Sequence, residues 1–187
     1  MQNKKILIGV TGGIAAYKIC ELARILVKKD CSVKVMMTEN AAKLVSPVVF
    51  QSLSREKVHT DTFAIDEIGR AEHIHLAKWA DAVLIAPATA NTIGKFANGI
   101  ADNFVTTTLM AAPENTFLFV APAMNVNMWN NIFVQENMEK IAARKNCFVV
   151  GPIAGMLADG TSGMGRMAEP ETIVEFIEKT LPSERSY

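Results

Sequence analysis

The polar segment at residues 122–129, Pro-Ala-Met-Asn-Val-Asn-Met-Trp, contains the residue types best suited to chemistry in this chain. It directly follows residues 116–121, an apolar run that predicts a buried strand. Asn125 is therefore expected beyond the carboxyl end of a strand, which is where ligands bind in open α/β sheets. Its amide offers donors and an acceptor, so it can hold a carboxylate or a carbonyl group. Taken alone, the segment is more typical of a capped turn with Met and Trp in the core.

Two other predicted strands end in segments that suit phosphate binding. A Thr-Gly-Gly turn at residues 11–13 follows the strand predicted at residues 6–10, and glycine there lets backbone N–H groups approach an anion. A small, polar segment at residues 87–92 follows the strand predicted at residues 82–86. A tight turn or a helix cap explains each segment by itself. Three such segments at strand ends indicate one shared crevice, because strand ends converge at a switch point of the sheet.

The second predicted strand in chain order, residues 32–37, ends in residues that favour a mononucleotide ligand over a dinucleotide ligand. An NAD site prefers an acidic residue at that position to bind the ribose, whereas here Thr38 comes first and Glu39 follows. A hydroxyl at Thr38 suits a phosphate or a ribityl group. The glycine turn is also neither a GxGxxG fingerprint nor a P-loop.

The three histidines do not predict a metal site. His73 and His75 lie two residues apart at the start of a predicted helix, so they point in different directions and at most one faces the crevice. His59 has no informative neighbours and is expected to be structural. Because the sequence also lacks an HExxH motif or a cysteine cluster, we expect no bound metal.

Composition narrows the function classes. A chain of 187 residues, half of them apolar, fits one folded domain with a sizeable core. Its 19 basic and 19 acidic residues balance, so neither nucleic acid nor a membrane surface is an expected partner. Three cysteines without CxxC spacing indicate a reducing compartment and no disulfides. We find no signal peptide and no membrane-span-length apolar run, and expect a cytoplasmic protein.

Predicted strands alternate with predicted helices, which is typical of an α/β fold with a parallel sheet and right-handed crossovers. Strands are expected at residues 6–10, 32–37, 82–86, 116–121 and 147–150. Helices are expected at residues 14–29, 48–53, 73–79, 92–97, 103–110, 132–143 and 171–180. Residues 154–169 hold four glycines and no periodic face, so we expect an irregular lid or binding loop there. The domain is predicted at residues 1–181, with a tail at residues 182–187.

Five motifs in this order resemble a known family, the homo-oligomeric flavin-containing cysteine decarboxylases. Within it the chain is most similar to the branch that decarboxylates phosphopantothenoyl-cysteine in coenzyme A biosynthesis. The resemblance covers roughly residues 5–181, and the PxMNxxMW-type and PATANT-type segments are specific to it. The motifs are Gly12-Gly13-Ile14, His73-Ile-His-Leu, Pro87-Ala-Thr-Ala-Asn-Thr92, Pro122-Ala-Met-Asn-Val-Asn-Met-Trp129 and Gly163-Met-Gly-Arg-Met167.

The resemblance implies a Rossmann-like (flavodoxin-like) three-layer fold that binds FMN and assembles as trimers, sometimes as dodecamers of four trimers. It implies oxidation of a cysteine-derived thiol to a thioaldehyde, which loses CO2 on the way to 4'-phosphopantetheine. By the same resemblance the FMN site comprises Gly12, Gly13, Ile14, Thr38, Thr89, Ala90, Asn91, Thr92 and Ala123. The catalytic residues would be His73 as base, Asn125 and Asp159, and the substrate site would comprise Met124, Asn125, Gly163, Arg166 and Met167.

Asp159 departs from the resembled branch. There the lid carries a Cys followed by Gly, and this Cys protonates the ene-thiol while reduced flavin returns hydride. Here Asp159 precedes Gly160, and a carboxyl with an ordinary pKa near ~3.9 is ionised at neutral pH. Burial in a closed lid would instead raise that pKa and keep the proton. The fate of the ene-thiol is thus open.

Two alternative functions remain at this point. One is a peptidyl-cysteine decarboxylase of the lanthipeptide type, which forms a C-terminal ene-thiol on a peptide and also lacks the lid Cys. The other is a non-catalytic flavin-binding subunit, against which the presence of both His73 and Asn125 argues. In a trimer, residues from two subunits can form one site. No second domain follows, so we expect any ligase that makes the substrate to be a separate polypeptide.

Overall fold

A parallel sheet of six strands forms the centre of the computed structural model, which describes residues 1–66 and 69–182. All strand pairs in it are parallel, in the order β3-β2-β1-β4-β5-β6. The strands are β1 Lys5–Val10, β2 Ser32–Met37, β3 Val58–His59, β4 Ala82–Ala88, β5 Phe117–Pro122 and β6 Cys147–Val149. Residues 183–187 of the predicted tail lie outside the described residues.

Helices cover both faces of the sheet. They are α1 Lys18–Lys28, α2 Glu39–Leu44, α3 Pro47–Ser54, α4 Glu72–Trp79, α5 Ala90–Ala97, α6 Phe104–Ala111, α7 Val126–Trp129, α8 Ile132–Ala142 and α9 Pro170–Thr180. Successive side chains of β1 point to opposite faces, so Ile6 and Ile8 join the core under α1 and α9. Leu7 joins the second core, under α4, α5, α6 and α8. A strand buried on both faces is a continuous apolar run, which is the pattern β1 and β4 show. The predicted three-layer α/β fold with a parallel sheet is confirmed.

The structure contains three elements that the sequence prediction did not include, β3, α2 and α7, and it differs in two regions that the prediction assigned otherwise. The helix expected at residues 14–29 is a short 3₁₀ helix, Ile14–Tyr17, followed by α1. The prediction of an irregular loop at residues 154–169 is wrong, because the segment contains an antiparallel hairpin of β7 Ile153–Met156 and β8 Ser162–Arg166. Its glycines leave no alternating apolar pattern, so the segment carries no sequence signal for strands. We call β7, β8 and their connecting turn the lid hairpin.

The lid hairpin is attached to the segment that follows β5. The backbone N–H of Met124 donates to the carbonyl of Gly165, at 2.9 Å. A Cβ atom at Gly165 would lie 2.3 Å from the Met124 carbonyl oxygen, and one at Gly163 would lie 3.0 Å from Val126 Cγ2. Glycine at both positions therefore allows the two backbones to approach closely.

Among the described residues, no helix is both long and apolar enough to cross a membrane. Within the same residues, no group of three or more His, Cys, Asp or Glu side chains is arranged to hold a metal ion. All three cysteines, Cys20, Cys31 and Cys147, are free thiols.

Candidate active site

The strand order creates a crevice at the carboxyl end of the sheet. The chain runs from β1 outward through β2 and β3, and then crosses to the other side of β1 to continue with β4, β5 and β6. The crossovers on the two sides of β1 diverge, which leaves an open space outside the ends of β1 and β4.

The hydroxyl of Thr11 connects the ends of β1 and β4. It donates to the carbonyl oxygen of Pro87 at 2.5 Å, and it accepts a hydrogen bond from the backbone N–H of Thr89 at 3.2 Å. Thr11 is fully buried, so these bonds are shielded from water. The glycine turn and the small polar segment are thereby held at a fixed separation.

Several helices begin at the crevice with a polar cap. The Thr38 hydroxyl accepts from the backbone N–H of Ala41 at the start of α2, and the Thr89 hydroxyl accepts from Thr92 at the start of α5. Asn103 opens α6 with a reciprocal capping box. Free N–H groups in the first turn of a helix attract an anionic ligand. This part of the crevice therefore suits a phosphate.

The crevice is a cleft of about 1140 Å³. It is lined by every residue of the predicted FMN site, namely Gly12, Gly13, Ile14, Thr38, Thr89, Ala90, Asn91, Thr92 and Ala123. Of the predicted substrate and catalytic residues it is lined by Met124, Asn125, Asp159, Arg166 and Met167. Gly163 does not line the cleft, because it packs against Val126 instead.

Gly12 lies where a side chain has no room. A Cβ atom there would lie 2.6 Å from Cβ of Asn40, at the start of α2. A Cβ atom at Gly13 would meet Pro87 and Thr89 at 3.4 Å, which is ordinary contact. The close approach at Gly12 brings the backbone of the glycine turn and α2 together at the same wall of the cleft.

Asn125 and Asp159 meet at the part of the cleft wall that follows the end of β5. The Asn125 Nδ2 group donates to Asp159 Oδ2, while Asp159 Oδ1 accepts from the backbone N–H and the hydroxyl of Thr161, at 2.9 and 2.6 Å. Hydrogen bonds from the Thr161 hydroxyl, the Thr161 backbone and Asn125 hold the pKa of Asp159 below its usual value. The lid does not bury Asp159 and raise its pKa; this carboxylate is exposed and ionised.

The basic side chains that line the cleft within the described residues are paired with carboxylates. Lys18 contacts Glu169 at 2.9 Å, Arg166 contacts the same carboxylate, and Lys95 contacts Asp102 at 2.6 Å. The hydrogen bond from Lys18 is the largest cause of a lowered pKa at Glu169. Residues 166 and 169 flank the end of β8, so this cluster also joins the lid hairpin to α1.

The structure does not bring His73 to the cleft wall. It lies on α4 and contacts Phe104 of α6 edge to face, with ring centroids 6.5 Å apart. Its Nδ1 atom is buried and has no hydrogen-bond partner among the described residues. Because α4 packs on the core that contains Leu76 and Phe104, His73 follows that helix rather than the strand ends.

The other two histidines, His75 and His59, each contact a charged side chain. His75 lies 3.4 Å from Arg70 through its Nδ1 atom. His59 is buried, hydrogen-bonded at 2.8 Å to Glu72 and stacked on Phe104. These contacts fit the structural role that was expected for His59.

Further residues line the cleft without having been predicted. They are Ala15, Tyr17, Lys18, Glu39, Asn40, Lys95, Asp102, Asn103, Met128, Met156, Leu157, Ala158 and Gly165. Asn103 carried a usable signal, because Asn followed three residues later by Thr is a helix cap next to a strand-end site. The sequence predicted a lid or binding loop at residues 154–169, but without the hairpin it did not identify which further lid residues face the cleft.

Comparison with known proteins identifies the family. A sequence profile described as "Flavoprotein" matches residues 1–182 of the chain. The chain belongs to the flavoprotein family. A curated relative, the coenzyme A biosynthesis bifunctional protein CoaBC of Bacillus subtilis (strain 168), is 47% identical over 186 residues. That match covers 100% of this chain and 45% of the relative, so the flavoprotein chain spans about half the length of CoaBC.

A second curated relative is similar over its whole length. The probable phosphopantothenoylcysteine decarboxylase of Streptococcus mutans serotype c (strain ATCC 700610 / UA159) is 39% identical over 182 residues, covering 96% of this chain and 99% of that protein.

Solved structures of flavoproteins share the fold. A PPC decarboxylase mutant complexed with pantothenoylaminoethenethiol matches with a TM-score of 0.86 and 31% identity, over 95% of this chain and 98% of that one. The FMN binding protein AtHal3 matches with a TM-score of 0.85 and 31% identity, over 98% and 99% of the two chains.

Proposed function

We propose that this flavoprotein is an FMN-dependent decarboxylase that acts on phosphopantothenoyl-cysteine, in one domain at residues 1–181. The observation that carries the proposal is the cleft itself. One part of its wall has helix N-termini and threonine hydroxyls suited to a cofactor phosphate, and another part presents the Asn125 amide. The B. subtilis and S. mutans relatives, named for coenzyme A biosynthesis and for phosphopantothenoylcysteine decarboxylase, support the substrate.

The residues present fit FMN. Gly12 and Gly13 line the cleft without side chains, and α5 begins there with the Thr89 cap. The backbone of residues 12–14, Thr38 and the first turn of α5 would hold the phosphate and ribityl groups. The FMN binding protein AtHal3, with its similar fold, supports this cofactor.

When bound, FMN supplies the two-electron oxidation of the substrate thiol that makes the carboxylate labile. The chain orients the substrate for that chemistry. Asn125 Oδ1 accepts from the backbone N–H of Asn127 at 2.7 Å, which fixes the amide so that Nδ2 points to the lid. From that orientation Nδ2 donates to the substrate carboxylate. The lid residues Met156 and Leu157 line the cleft with apolar surface.

We propose that His73 acts as the base from a second copy of the chain, in a homotrimer or a dodecamer of trimers. Large apolar side chains near His73 along the chain are open to solvent in the single chain, including Phe63 at 91% and Ile65 at 65%. At the cleft, Ile14 and Tyr17 are also more than half exposed. Exposed apolar residues of this kind mark a protein interface. Association would bring the surface around α4 of one copy against the cleft of another.

The three free thiols suit a reducing compartment, so we place this enzyme in the cytoplasm.

Incubation of the FMN-loaded protein with phosphopantothenoyl-cysteine, read by mass spectrometry, tests the proposal. We expect the loss of CO2 from this substrate, and none from a synthetic peptide that ends in Cys. Decarboxylation of the peptide alone would establish the peptidyl-cysteine function instead. A protein that is colourless as purified and fails to bind added FMN would contradict the cofactor and the activity together.

A further inference from the structure

The donor that would hold the substrate carboxylate is already occupied by a carboxylate of the same chain. Asn125 Nδ2 donates to Oδ2 of Asp159, at the tip of the lid hairpin. The other atom of the amide, Oδ1, is committed to the backbone N–H of Asn127. Asn125 therefore cannot turn its amide around to offer a different group to a ligand without losing the cap of α7.

The turn of the lid hairpin holds Asp159 in this position. Its Oδ1 atom accepts two hydrogen bonds from Thr161, and Gly160 follows with a φ of +81°, a conformation that glycine adopts freely. The backbone N–H of Leu157 donates to the Thr161 carbonyl at 2.8 Å and closes the turn. At the tip, Oδ2 of Asp159 thus accepts from Asn125, while Oδ1 accepts from Thr161 within the turn.

We propose that Asp159 is a latch that mimics the substrate carboxylate. With no substrate bound, the Asp159 carboxylate occupies the Asn125 amide and holds the lid hairpin closed over that part of the cleft. An entering substrate exchanges its own carboxylate for that of Asp159, so the hairpin tip must move away. This inference rests on the proposed function, in which Asn125 binds the substrate carboxylate.

The latch distinguishes substrate from product. Nδ2 carries two N–H donors, but two carboxylates held on that one nitrogen repel each other as like charges, so substrate and Asp159 compete at Asn125. Loss of CO2 removes the competing group, and Asp159 can then return to the amide. Asp159 is in this way a specificity-determining residue. Only a ligand with its own carboxylate displaces Asp159 from Asn125, and a decarboxylated product, which lacks that group, is disfavoured from binding again.

A ligand-free experiment tests the closed latch. The FMN-loaded full chain is treated with chymotrypsin, and cleavage after Met156 or Leu157 is timed. Both Asn125→Ala and Asp159→Ala should be cut at least about tenfold faster than wild type, the effect of losing a hydrogen bond to a charged group. Asp159→Ala also breaks the Thr161 bonds, and Asn125→Ala also removes the cap of α7. Asn125→Asp keeps an acceptor for Asn127 and leaves the turn intact, so it is the decisive variant and should be cut as fast as Asn125→Ala. Equal cleavage rates in Asn125→Asp and wild type would overturn the latch.

A ligand experiment tests the exchange. The probes are phosphopantothenoyl-alanine, which has the carboxylate but no thiol, and the matching ethylamide, which has neither. By calorimetry, Asp159→Asn should bind the alanine compound at least about tenfold more tightly than wild type and the ethylamide equally well. Asn keeps an acceptor for Thr161, so the turn survives. Glu175→Gln, which removes an exposed carboxylate on α9 outside the cleft, should change neither affinity by more than about twofold.

The two experiments separate the inference from the proposed function. Faster cleavage of Asn125→Asp combined with no binding of either probe would mean that the latch exists but the substrate is wrong. Tight, unchanged binding of the alanine compound in Asp159→Asn would mean that the substrate is right and that Asp159 is no competitor for it.

Discussion

The imidazole of His73 meets the ring of Phe104 edge to face, with the ring planes at 84°. His59 stacks on the same ring at 5.7 Å and is held there by Glu72, the residue that precedes His73. Phe104 is fully buried, so one phenyl ring fixes the positions of two histidines. A buried, uncharged support of this kind holds the His73 ring in place without supplying it with a partner for its Nδ1 atom.

His73→Asn should abolish decarboxylation and leave FMN bound, because it removes proton transfer without touching the cleft wall. His75→Asn is the matched control. A histidine two residues along a helix faces elsewhere, so this variant should keep activity within about threefold of wild type. Turnover is measured by CO2 release and bound flavin by absorbance. Equal loss of turnover in the two variants would show that the base is not His73.

Asn125→Asp should also abolish turnover at full FMN occupancy. It replaces the amide donor with a negative charge that repels both the substrate carboxylate and Asp159. Substrate affinity should therefore fall together with kcat, which steady-state kinetics on the loaded enzyme will show. Retained activity would place the substrate carboxylate elsewhere in the cleft.

Asp159 should decide which product leaves the enzyme. Its lowered pKa makes it a poor acid at neutral pH, so wild type should release the oxidised ene-thiol rather than the saturated thiol. Asp159→Cys should shift the product toward the saturated thiol, since a thiol with a pKa near ~8.5 keeps its proton. Anaerobic single-turnover mass spectrometry separates products that differ by two hydrogens. Saturated thiol from wild type, lost in Asp159→Asn, would instead make Asp159 a working acid.

Acid should destabilise the fold through His59 and Glu72. Burial lowers the pKa of His59 from the ordinary 6.5, and its contact with Glu72 only partly opposes this. A histidine that stays neutral when folded contributes stability above its unfolded pKa, and this is lost as pH falls through the folded value. Burial alone would raise the pKa of Glu72, but hydrogen bonds from Lys57 and His59 outweigh it and lower that pKa, so acid costs stability there too.

The measurement is the thermal midpoint between about pH 7 and about pH 5. Wild type should lose stability toward the acid end, and His59→Gln, which cannot take up the proton, should show a flatter profile. Parallel profiles in the two proteins would locate the acid sensitivity elsewhere.

Gly165→Ala should detach the lid hairpin, because a Cβ atom there would lie 2.3 Å from the Met124 carbonyl oxygen. Gly160→Ala is the control: its φ is also positive, but nothing lies within 4 Å of the added atom. Both variants carry backbone strain of about 1–3 kcal/mol, and only Gly165→Ala adds the overlap. Chemical denaturation compares the free energies of unfolding. If the two variants lose the same free energy of unfolding, the hairpin shifts to relieve the overlap at residue 165 without further loss of stability.

The meeting of the strand-end segments at one cleft was predicted from the sequence, because the signals for it are local. Each strand there is an apolar run that stops at a glycine or a capping residue, and parallel strands bring such ends together. Thr11 escaped prediction as the connector, since its hydrogen bonds reach residues 76 and 78 positions away. The spacing of residues within one helix or strand does not predict hydrogen bonds between residues so far apart in the sequence.

The lid end was predicted less completely, for two physical reasons. Glycine-rich strands lack the alternating side chains that identify a hairpin, so β7 and β8 were hidden. The pairing of Asp159 with Asn125 depends on how that hairpin folds over the sheet. Likewise, His73 was picked out by its motif, but its distance from the cleft follows from the packing of α4 on Phe104.

The central sheet ends on both sides in very short strands, with two residues in β3 and three in β6. An exposed edge strand is a template onto which another molecule can add a strand, and such addition propagates into fibrils. Edges this short offer too few free backbone groups for propagation. The edges of the central sheet are therefore poor templates for strand addition, and the folded protein should resist amyloid-type aggregation through them even when it is concentrated.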